Sequence, residues 1–404
     1  MQTLIARYKE LTRLPENGEI PALHGIRALM IFVIAAFHIW QQSWLTPRIA
    51  LFGRVYSADT LLRSGYMWVD GLLLLSGFLC YLPYAEAAAA GRPLPQILPF
   101  YRRRFLRIVP GYVFHLLVIA LIVALPQRLF RTPGDLAMDV LAHLSFTHTF
   151  FYFSYYATPL NGALWTLAIE MQFYLIFPLL ARAFARMPAL TYALMAGAAF
   201  AFRAVVADWP DTSMGFNQLP AFLDVYANGF VAAGIYTSLR RRMKEDGWTR
   251  VLMTACALAA FAALAQLARG QAAEPLGEGI RLGQMARRYP QSVLTALCML
   301  GFSLGLGGFR LLFGNPLTRF LSGISYQFYM WHQILAVQLR RWNLPYSELA
   351  EPNRAGDFLW QRRYTWLCWL GALALAVLCT YLIERPLAGL AGSKSKIKKE
   401  RNRT

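Results

Sequence analysis

The sequence predicts an all-α fold, a polytopic membrane bundle of about ten transmembrane helices. Of its 404 residues, 57% are hydrophobic and only 15% are charged, a balance too apolar for a soluble domain of this length. The apolar residues form runs of about 20 residues, the length that crosses the hydrocarbon core of a bilayer. The five cysteines lie in or beside these runs without metal-type spacing. We therefore expect buried small hydrophobes at these positions and no metal site.

Ten runs are predicted to span the membrane, with ends defined to about four residues. They are residues 23–44, 66–88, 108–127, 163–183, 188–207, 219–239, 250–268, 291–312, 321–341 and 365–385. The stretches 269–290 and 342–364 are too polar to span and are predicted to be outer loops. The aromatic-rich stretch 136–161 is placed as an outer, partly embedded loop, with a short membrane helix or a re-entrant segment as alternatives.

The charge distribution sets the expected orientation. The formal net charge is +19, and its cations cluster between apolar runs, for example at 102–107 and 240–244, as the positive-inside bias of membrane proteins predicts. A nucleic-acid partner is therefore not expected. An even number of spans places both termini in the cytoplasm. The predicted parts are an amphipathic N-terminus at 1–21, a transmembrane domain at 22–388 and a basic tail at 389–404 against membrane lipid.

The first apolar run, LHGIRALMIFVIAAFHIW at 23–40, carries two ionisable residues, Arg27 and His38. Their separation is close to three helical turns, so both project from one face, about 16 Å apart along the axis. Arg27 is predicted near one interface and His38 towards the bilayer centre. Ionisable groups at that depth are costly without a polar cavity or partner, which indicates a functional site. A snorkelling arginine and a packed histidine are the structural alternative.

The second run and the segment after it add charged candidates. Asp70 stands at the head of the run, as an interfacial cap or as a functional acid. The motif FYRRRFLRIVPGY follows, and its helical spacing allows several guanidinium groups to converge on one ligand. Fork-shaped arginine donors suit phosphate oxygens, whereas a topology-setting charge is the alternative role. The arginines are Arg102, Arg103, Arg104 and Arg107.

Two later runs carry polar stripes. In LWTLAIEMQFYLIFP, Thr166, Glu170 and Tyr174 recur every four residues, and a carboxylate in that setting needs a partner or stays protonated. In GISYQFYMWHQ, Tyr329 and His332 share a helical face. Two intramembrane histidines and a carboxylate are the components of acid–base chemistry or of a proton relay.

The order of these motifs resembles that of a known family. LHGIRALMIFVIAAFH, GYMWVDGLLLLSGFL, RRRFLRIVPGY, LWTLAIEMQFYLIFPLL, GISYQFYMWH and YLIERP closely resemble the successive signatures of bacterial membrane acyltransferase family three, which contains O-acetyltransferases of surface polysaccharides. The resemblance covers about residues 20–388. The family's arginine, ten-residue gap and histidine match Arg27 and His38, and its cytoplasmic arginine motif matches Arg104 and Arg107.

The sequence departs from the family pattern at two positions. His24 stands where an aspartate is usual, and Glu170 is followed by Met171 where the family has paired glutamates. No esterase-like domain follows the predicted bundle in this sequence. The resemblance therefore implies either direct acylation of the acceptor or a separate extracytoplasmic transferase partner.

The resemblance implies transfer of an acyl group, expected to be acetyl, from cytoplasmic acyl-CoA to a hydroxyl of a cell-surface carbohydrate, in the bacterial inner membrane. Acyl-CoA is a co-substrate, and no permanently bound cofactor is implied. We expect His38 to act as general base, with Glu170 and His332 as orienting or alternative acid–base groups. The predicted substrate-binding residues are Arg27, Asp70, Arg102, Arg103, Arg104, Arg107, Trp165, Tyr174 and Tyr329.

Two other functions fit the same residues. One is acylation of a small molecule, such as a macrolide or a lipid, at the cytoplasmic side. The other is a proton-coupled transporter, in which His38, Glu170 and His332 carry protons and no chemistry occurs. Inverted repeats would favour a transporter, and the sequence shows none.

Overall fold

A computed structural model describes residues 19–242 and 247–387. The predicted N-terminal segment up to residue 18, Lys244 and the tail from residue 388 lie outside the described residues. The described part is helical apart from loops and one exposed hairpin, in which Arg48–Leu51 pairs antiparallel with Arg54–Ser57. The all-α prediction is confirmed.

Twelve helices, labelled here in chain order, form the framework of the described residues. They are α1 Ala22–Ser43, α2 Trp68–Ala89, α3 Ile97–Val118, α4 Pro133–Leu144, α5 Trp165–Arg186, α6 Pro188–Ala207, α7 Leu223–Arg242, α8 Gly247–Ala272, α9 Glu278–Leu304, α10 Gly307–Gly314, α11 Pro316–Arg341 and α12 Phe358–Cys379. Two very short helices and several 3₁₀ or π turns connect or extend them, at Asp59–Arg63, Gly65–Met67, Ile119–Ala124, His148–Phe150, Tyr152–Tyr155, Gly162–Leu164, Leu219–Phe222 and Thr380–Glu384.

Each of the ten predicted spans coincides with helical structure. Within the described residues, seven helical segments are long and apolar enough to cross a membrane. An eighth is obtained when α9 and α10, which bend by 106° at their junction, are counted as one span. The chain is a multi-pass membrane protein. The helices α7 and α11 are more polar, so their assignment as spans stays a prediction.

The predicted outer loop at 269–290 is wrong except at residues 273–277, since α8 continues to Ala272. Helix α9 begins at Glu278 and includes the stretch of arginines that made this segment too polar to span. Ion pairs accommodate the charges: Arg287 lies 2.6 Å from a carboxylate oxygen of Glu274, and the Nε atom of Arg288 lies 3.3 Å from Oδ2 of Asp70. A paired guanidinium is tolerated in a buried helix where a single charge is not.

The stretch 136–161 is folded around buried polar residues. Thr132 and Asp135 form a capping box at the start of α4, and the carboxylate of Asp139 lies 3.0 Å from Nδ1 of His143, both side chains being buried. Most aromatic side chains that follow are exposed, including Tyr152, whereas Phe146 and Tyr155 are half-buried. The side of the membrane on which this segment lies stays a prediction.

The chain divides into two compact units. The first unit comprises the described residues up to Phe37, 46–95 and 176–323. In it α2 packs closely on α7, since a Cβ atom on Gly229 would lie 2.6 Å from the backbone oxygen of Leu74. Helix α9 packs as closely on α8 at Gly301, where an added Cβ atom would strike the backbone oxygen of Met253. Four of the five cysteines are buried as predicted, but Cys256 on α8 is exposed.

The second unit comprises His38–Leu45, Gln96–Leu175 and the residues from Ile324 onwards. Its core joins α3, α5 and α11 through Tyr112, Leu116, Leu164, Leu167, Met330, Trp331 and Ile334. A second cluster joins the end of α1 to α11 and α12, through Ile39, Ala336, Leu339, Trp360 and Tyr364. Asn161 fixes the start of α5, because its side chain accepts a hydrogen bond from the backbone of Ala163 and donates one to the carbonyl of Met330. These contacts hold the helices that carry His38, Glu170 and His332.

Candidate active site

Two histidines of the second unit lie side by side. His38 on α1 and His332 on α11 have ring centroids 5.2 Å apart, with an angle of 45° between the ring planes. His332 is fully buried, whereas His38 is partly exposed. The structure therefore brings together the two intramembrane histidines that the sequence places in separate motifs.

Hydrogen bonds set the tautomer of both neutral rings. Nδ1 of His38 lies 3.1 Å from Oε1 of Gln41, and Nδ1 of His332 lies 3.2 Å from the backbone oxygen of Phe328. Both oxygens can only accept, so each Nδ1 carries the proton and each Nε2 carries the lone pair. Among the described residues, none forms a hydrogen bond with Nε2 of His332. The pair thus presents basic nitrogens that can take a proton from a hydroxyl.

Tyr329 connects the histidine pair to the polar stripe of α5. Its ring centroid lies 5.3 Å from that of His332, and its phenol oxygen accepts a hydrogen bond of 3.0 Å from the hydroxyl of Thr166. Thr166 lies one helical turn before Glu170. Trp165, which begins α5, is partly buried. The predicted stripe therefore faces α11, although roles of Trp165 and Tyr329 in substrate binding stay predictions.

The carboxylate motif and the arginine motif meet at Tyr174. Its hydroxyl donates a hydrogen bond to Oε1 of Glu170. The guanidinium carbon of Arg104 lies 5.1 Å from the centroid of the Tyr174 ring and 5.7 Å from that of Phe100, within the range of cation–π attraction. Glu170 thus has the partner that its position on an apolar helix requires. Because Tyr174 contacts both groups, a change in the arginine motif can reach the carboxylate through one side chain.

The four arginines of the motif have different environments. Arg104 is partly buried against aromatic rings, whereas Arg102, Arg103 and Arg107 are exposed. Arg107 also acts electrostatically on Glu384, the carboxylate of the YLIERP motif. Exposed guanidinium groups on neighbouring turns of one helix can contact the oxygens of a phosphate. Binding of a ligand at this cluster stays a prediction.

Two predicted site residues belong to the first unit. Arg27 lies on α1 and is partly buried. Asp70 is fully buried at the start of α2, where it pairs with Arg288. The guanidinium of Arg288 also donates to the backbone oxygen of Phe216, at 2.9 Å, and lies 3.7 Å from the ring centroid of Phe222. Asp70 is therefore part of a buried ionic network, and its role in substrate binding stays a prediction.

Two glutamines that contact candidate site residues were not predicted from the sequence. Gln41, which sets the tautomer of His38, follows it by three residues on one helix, and this spacing was a usable indication of contact. Gln327 donates a hydrogen bond of 3.2 Å to Glu384, a contact between distant parts of the chain that no local pattern reveals. In the described part of the chain, no group of three or more His, Cys, Asp or Glu side chains is arranged to hold a metal ion.

The sequence model of a protein family described as an acyltransferase domain matches residues 20–385. The chain belongs to acyltransferase family 3. This acyltransferase is 26% identical over 178 residues to the O-acetyltransferase OatA of Staphylococcus aureus, in a match that covers 43% of the chain and 26% of the relative. It is 29% identical over 167 residues to the peptidoglycan O-acetyltransferase OatA of Listeria monocytogenes, covering 39% and 24%. The chain thus matches about a quarter of the length of these curated relatives. No solved structure matches the chain.

Proposed function

We propose that this acyltransferase moves an acetyl group from cytoplasmic acetyl-CoA to a hydroxyl of a cell-surface carbohydrate. The observation that carries the proposal is the His38–His332 pair, whose centroids are 5.2 Å apart and whose Nδ1 atoms are both committed to oxygen acceptors. The names of the two relatives, an O-acetyltransferase and a peptidoglycan O-acetyltransferase, support the acetyl group and the carbohydrate acceptor.

His38 acts as the general base. Its Nε2 atom takes the proton of the acceptor hydroxyl as the hydroxyl oxygen attacks the thioester carbonyl carbon. The carbon–sulfur bond then breaks, and the thiolate of CoA takes the proton back from the imidazolium. The products are the O-acetyl ester and CoA with a free thiol, and no covalent enzyme intermediate is needed. Gln41 keeps the lone pair on Nε2 whenever the His38 ring is neutral, before the proton is taken up and after it is returned.

The donor binds at the arginine motif of α3. CoA carries several phosphate groups, and the exposed guanidinium groups of Arg102, Arg103 and Arg107 match their oxygens as fork-shaped donors. The positive-inside bias places this motif in the cytoplasm, where acyl-CoA is available. Arg27 on α1 stays a proposed substrate-binding residue, as the family resemblance implies.

His332 and Glu170 support the reaction from α11 and α5. His332 has a buried Nε2 without a hydrogen-bond partner among the described residues, so it can accept a hydrogen bond from a second hydroxyl of the carbohydrate and hold the attacking hydroxyl towards His38. Glu170, bonded by Tyr174, places a carboxylate on the α5 stripe that also contacts Tyr329. Both roles position the reacting groups.

The protein is proposed to lie in the bacterial inner membrane with both termini in the cytoplasm. The bacterial source of the two relatives supports the location, and the basic segments support the orientation. The acceptor is acylated either directly or through a separate extracytoplasmic transferase. A reporter that is active only in the cytoplasm should be active when it is fused after Thr404. An inactive fusion, with activity from a periplasmic reporter at the same position, would contradict the even number of spans.

The decisive experiment supplies the purified protein, in proteoliposomes, with acetyl-CoA radiolabelled in the acetyl group and with peptidoglycan fragments as acceptor. The proposal predicts release of CoA thiol and recovery of label as an alkali-labile ester. Heat-inactivated protein is the control. Intact thioester with every short-chain acyl-CoA, together with proton movement across the vesicle membrane, would show a transporter. When a macrolide or a lipid is supplied beside the fragments, label on that molecule but on no carbohydrate would show the small-molecule alternative.

A further inference from the structure

A cavity of about 570 Å³ lies in the first unit, beside the basic end of α7. Its volume falls within the roughly 300–1,000 Å³ typical of small-molecule sites. Helices α2, α5, α6 and α7 contribute to its wall. The side chains and positions that matter for its chemistry are Tyr81, Phe184, Phe230, Gly234, Arg241 and Arg242.

The inner end of the cavity is aromatic. The rings of Tyr81 and Phe230 are stacked with centroids 4.7 Å apart, and Phe184 meets both edge-on, at 5.1 Å from Tyr81 and 5.4 Å from Phe230. All three side chains are buried. A surface of this kind favours a hydrocarbon chain, because burying apolar area is favourable and requires no polar partner.

The cavity lies beyond the closely packed glycines of α2 and α7. Gly77 and Gly229 bring α2 and α7 into contact, since a Cβ atom on Gly77 would lie 3.0 Å from the backbone oxygen of Tyr226. Further along α7, a Cβ atom on Gly234 would meet nothing within 4 Å. Gly234 therefore faces open space, and a side chain introduced there would enter the cavity without striking the protein.

The outer end of the cavity is cationic. Arg241 and Arg242 are exposed at the end of α7, and Arg241 donates a hydrogen bond to the backbone oxygen of Ala89 at the end of α2. Cations at a helix C-terminus also stabilise the helix dipole, but that role does not account for the apolar cavity beneath them. A cationic mouth over an aromatic interior suits a ligand with an anionic head and an apolar chain.

We propose that this cavity binds one anionic glycerophospholipid, with its phosphate against Arg241 and Arg242 and an acyl chain against the aromatic side chains. Basic pockets between transmembrane helices bind such head groups at the cytoplasmic side of membranes. The surroundings favour a membrane lipid over a soluble phosphate: α2 and α6 belong to segments able to cross a membrane, and the apolar side chain of Ile235 is 43% exposed at the rim. The site is independent of the histidine pair and of the proposed acyl transfer.

Native mass spectrometry of the full chain tests the proposal. The protein is reconstituted in nanodiscs of phosphatidylcholine, with or without phosphatidylglycerol, and the lipids that remain bound after release are counted. We expect one retained phosphatidylglycerol and a higher melting temperature in its presence. Gly234→Leu, which fills the cavity, should reduce retention at least tenfold, and Arg242→Gln by about fivefold, the effect of one cation near an anionic lipid surface.

The matched control is Gly197→Leu on α6, because Gly197 is also a helical glycine with nothing within 4 Å of an added Cβ atom, but it is exposed and does not line the cavity. It should retain the lipid like the wild type. Equal retention by Gly234→Leu would show bulk membrane lipid and overturn the proposal, as would equal retention of phosphatidylcholine. Displacement of the lipid by inorganic phosphate or by CoA would overturn it in favour of a soluble ligand. If Gly234→Leu does not fold, Arg242→Gln decides: unchanged retention refutes the phosphate contact.

Discussion

Replacing Gln41 by methionine should slow acetyl transfer without removing the base. The side chain keeps its length but loses the oxygen that accepts the Nδ1 proton of His38 at 3.1 Å. Without that acceptor, the neutral imidazole can carry its proton on Nε2, the atom that must accept the hydroxyl proton. The expected result is a lower kcat with an unchanged KM for acetyl-CoA, because the proposed phosphate contacts of the donor are on α3.

The size of the effect follows from the single hydrogen bond involved. A net contribution of about 0.5–1.5 kcal/mol corresponds to a roughly twofold to tenfold decrease in kcat. Transfer of label from acetyl-CoA, measured in proteoliposomes at saturating donor, gives this ratio. Gln42→Met is the matched control, because Gln42 is the next residue on the same helix and projects in a different direction.

Two results would contradict the proposed effect of Gln41 on the tautomer of His38. Activity of Gln41→Met within experimental error of Gln42→Met would mean that the tautomer of His38 does not limit the reaction. A thousandfold loss would mean that Gln41 contacts a reacting group itself, since a tautomer bias from one hydrogen bond cannot supply that much.

Three further predictions concern charged groups. Arg103→Gln should raise the KM for acetyl-CoA at unchanged melting temperature, whereas Arg104→Gln should also lower the melting temperature because it loses its aromatic contacts; equal effects on stability would contradict the distinction. Asp70→Asn should destabilise the protein by about 3 kcal/mol, the lower end for breaking a buried ion pair, measured by thermal unfolding; an unchanged melting temperature would show that Arg288 does not need it. Burial and neighbouring cationic charge lower the pKa of His148 to about 2, so only the unfolded chain gains a proton as pH falls below about 6.5, and stability should fall by about 1.4 kcal/mol per pH unit. His148→Phe should remove that acid sensitivity in thermal melts, and an unaltered slope would contradict it.

Local patterns were sufficient for the helices and for the motifs. Apolar periodicity located all ten predicted helical regions, and the four-residue spacing on α5 grouped Glu170 with Tyr174, whose hydroxyl donates a hydrogen bond to it. Such patterns work because neighbours at i+3 and i+4 on a helix are in contact whatever the rest of the fold does.

Contacts between residues far apart in the chain could not be predicted from local sequence patterns. The ion pair of Asp70 with Arg288 joins α2 to α9. It neutralises a charge in a segment that is helical although its polarity predicted a loop. The same holds for the 5.2 Å separation of His38 and His332, because hydropathy describes each run separately. The family resemblance identified the important motifs. Only the fold shows that Arg104 packs on Tyr174, whose hydroxyl donates a hydrogen bond to Glu170.

The role of His38 as general base can be tested by comparing two alanine variants. His38→Ala and His332→Ala are purified in parallel, and acetyl transfer and equilibrium binding of acetyl-CoA are measured on the same samples. His38→Ala should bind acetyl-CoA like the wild type but transfer the acetyl group at least a hundredfold more slowly, since general base catalysis contributes about 10²–10⁴-fold. His332→Ala should retain measurable transfer with weaker use of the acceptor. Near-normal acetyl transfer by His38→Ala, with an inactive His332→Ala, would rule out His38 as the base and assign that role to His332 on α11.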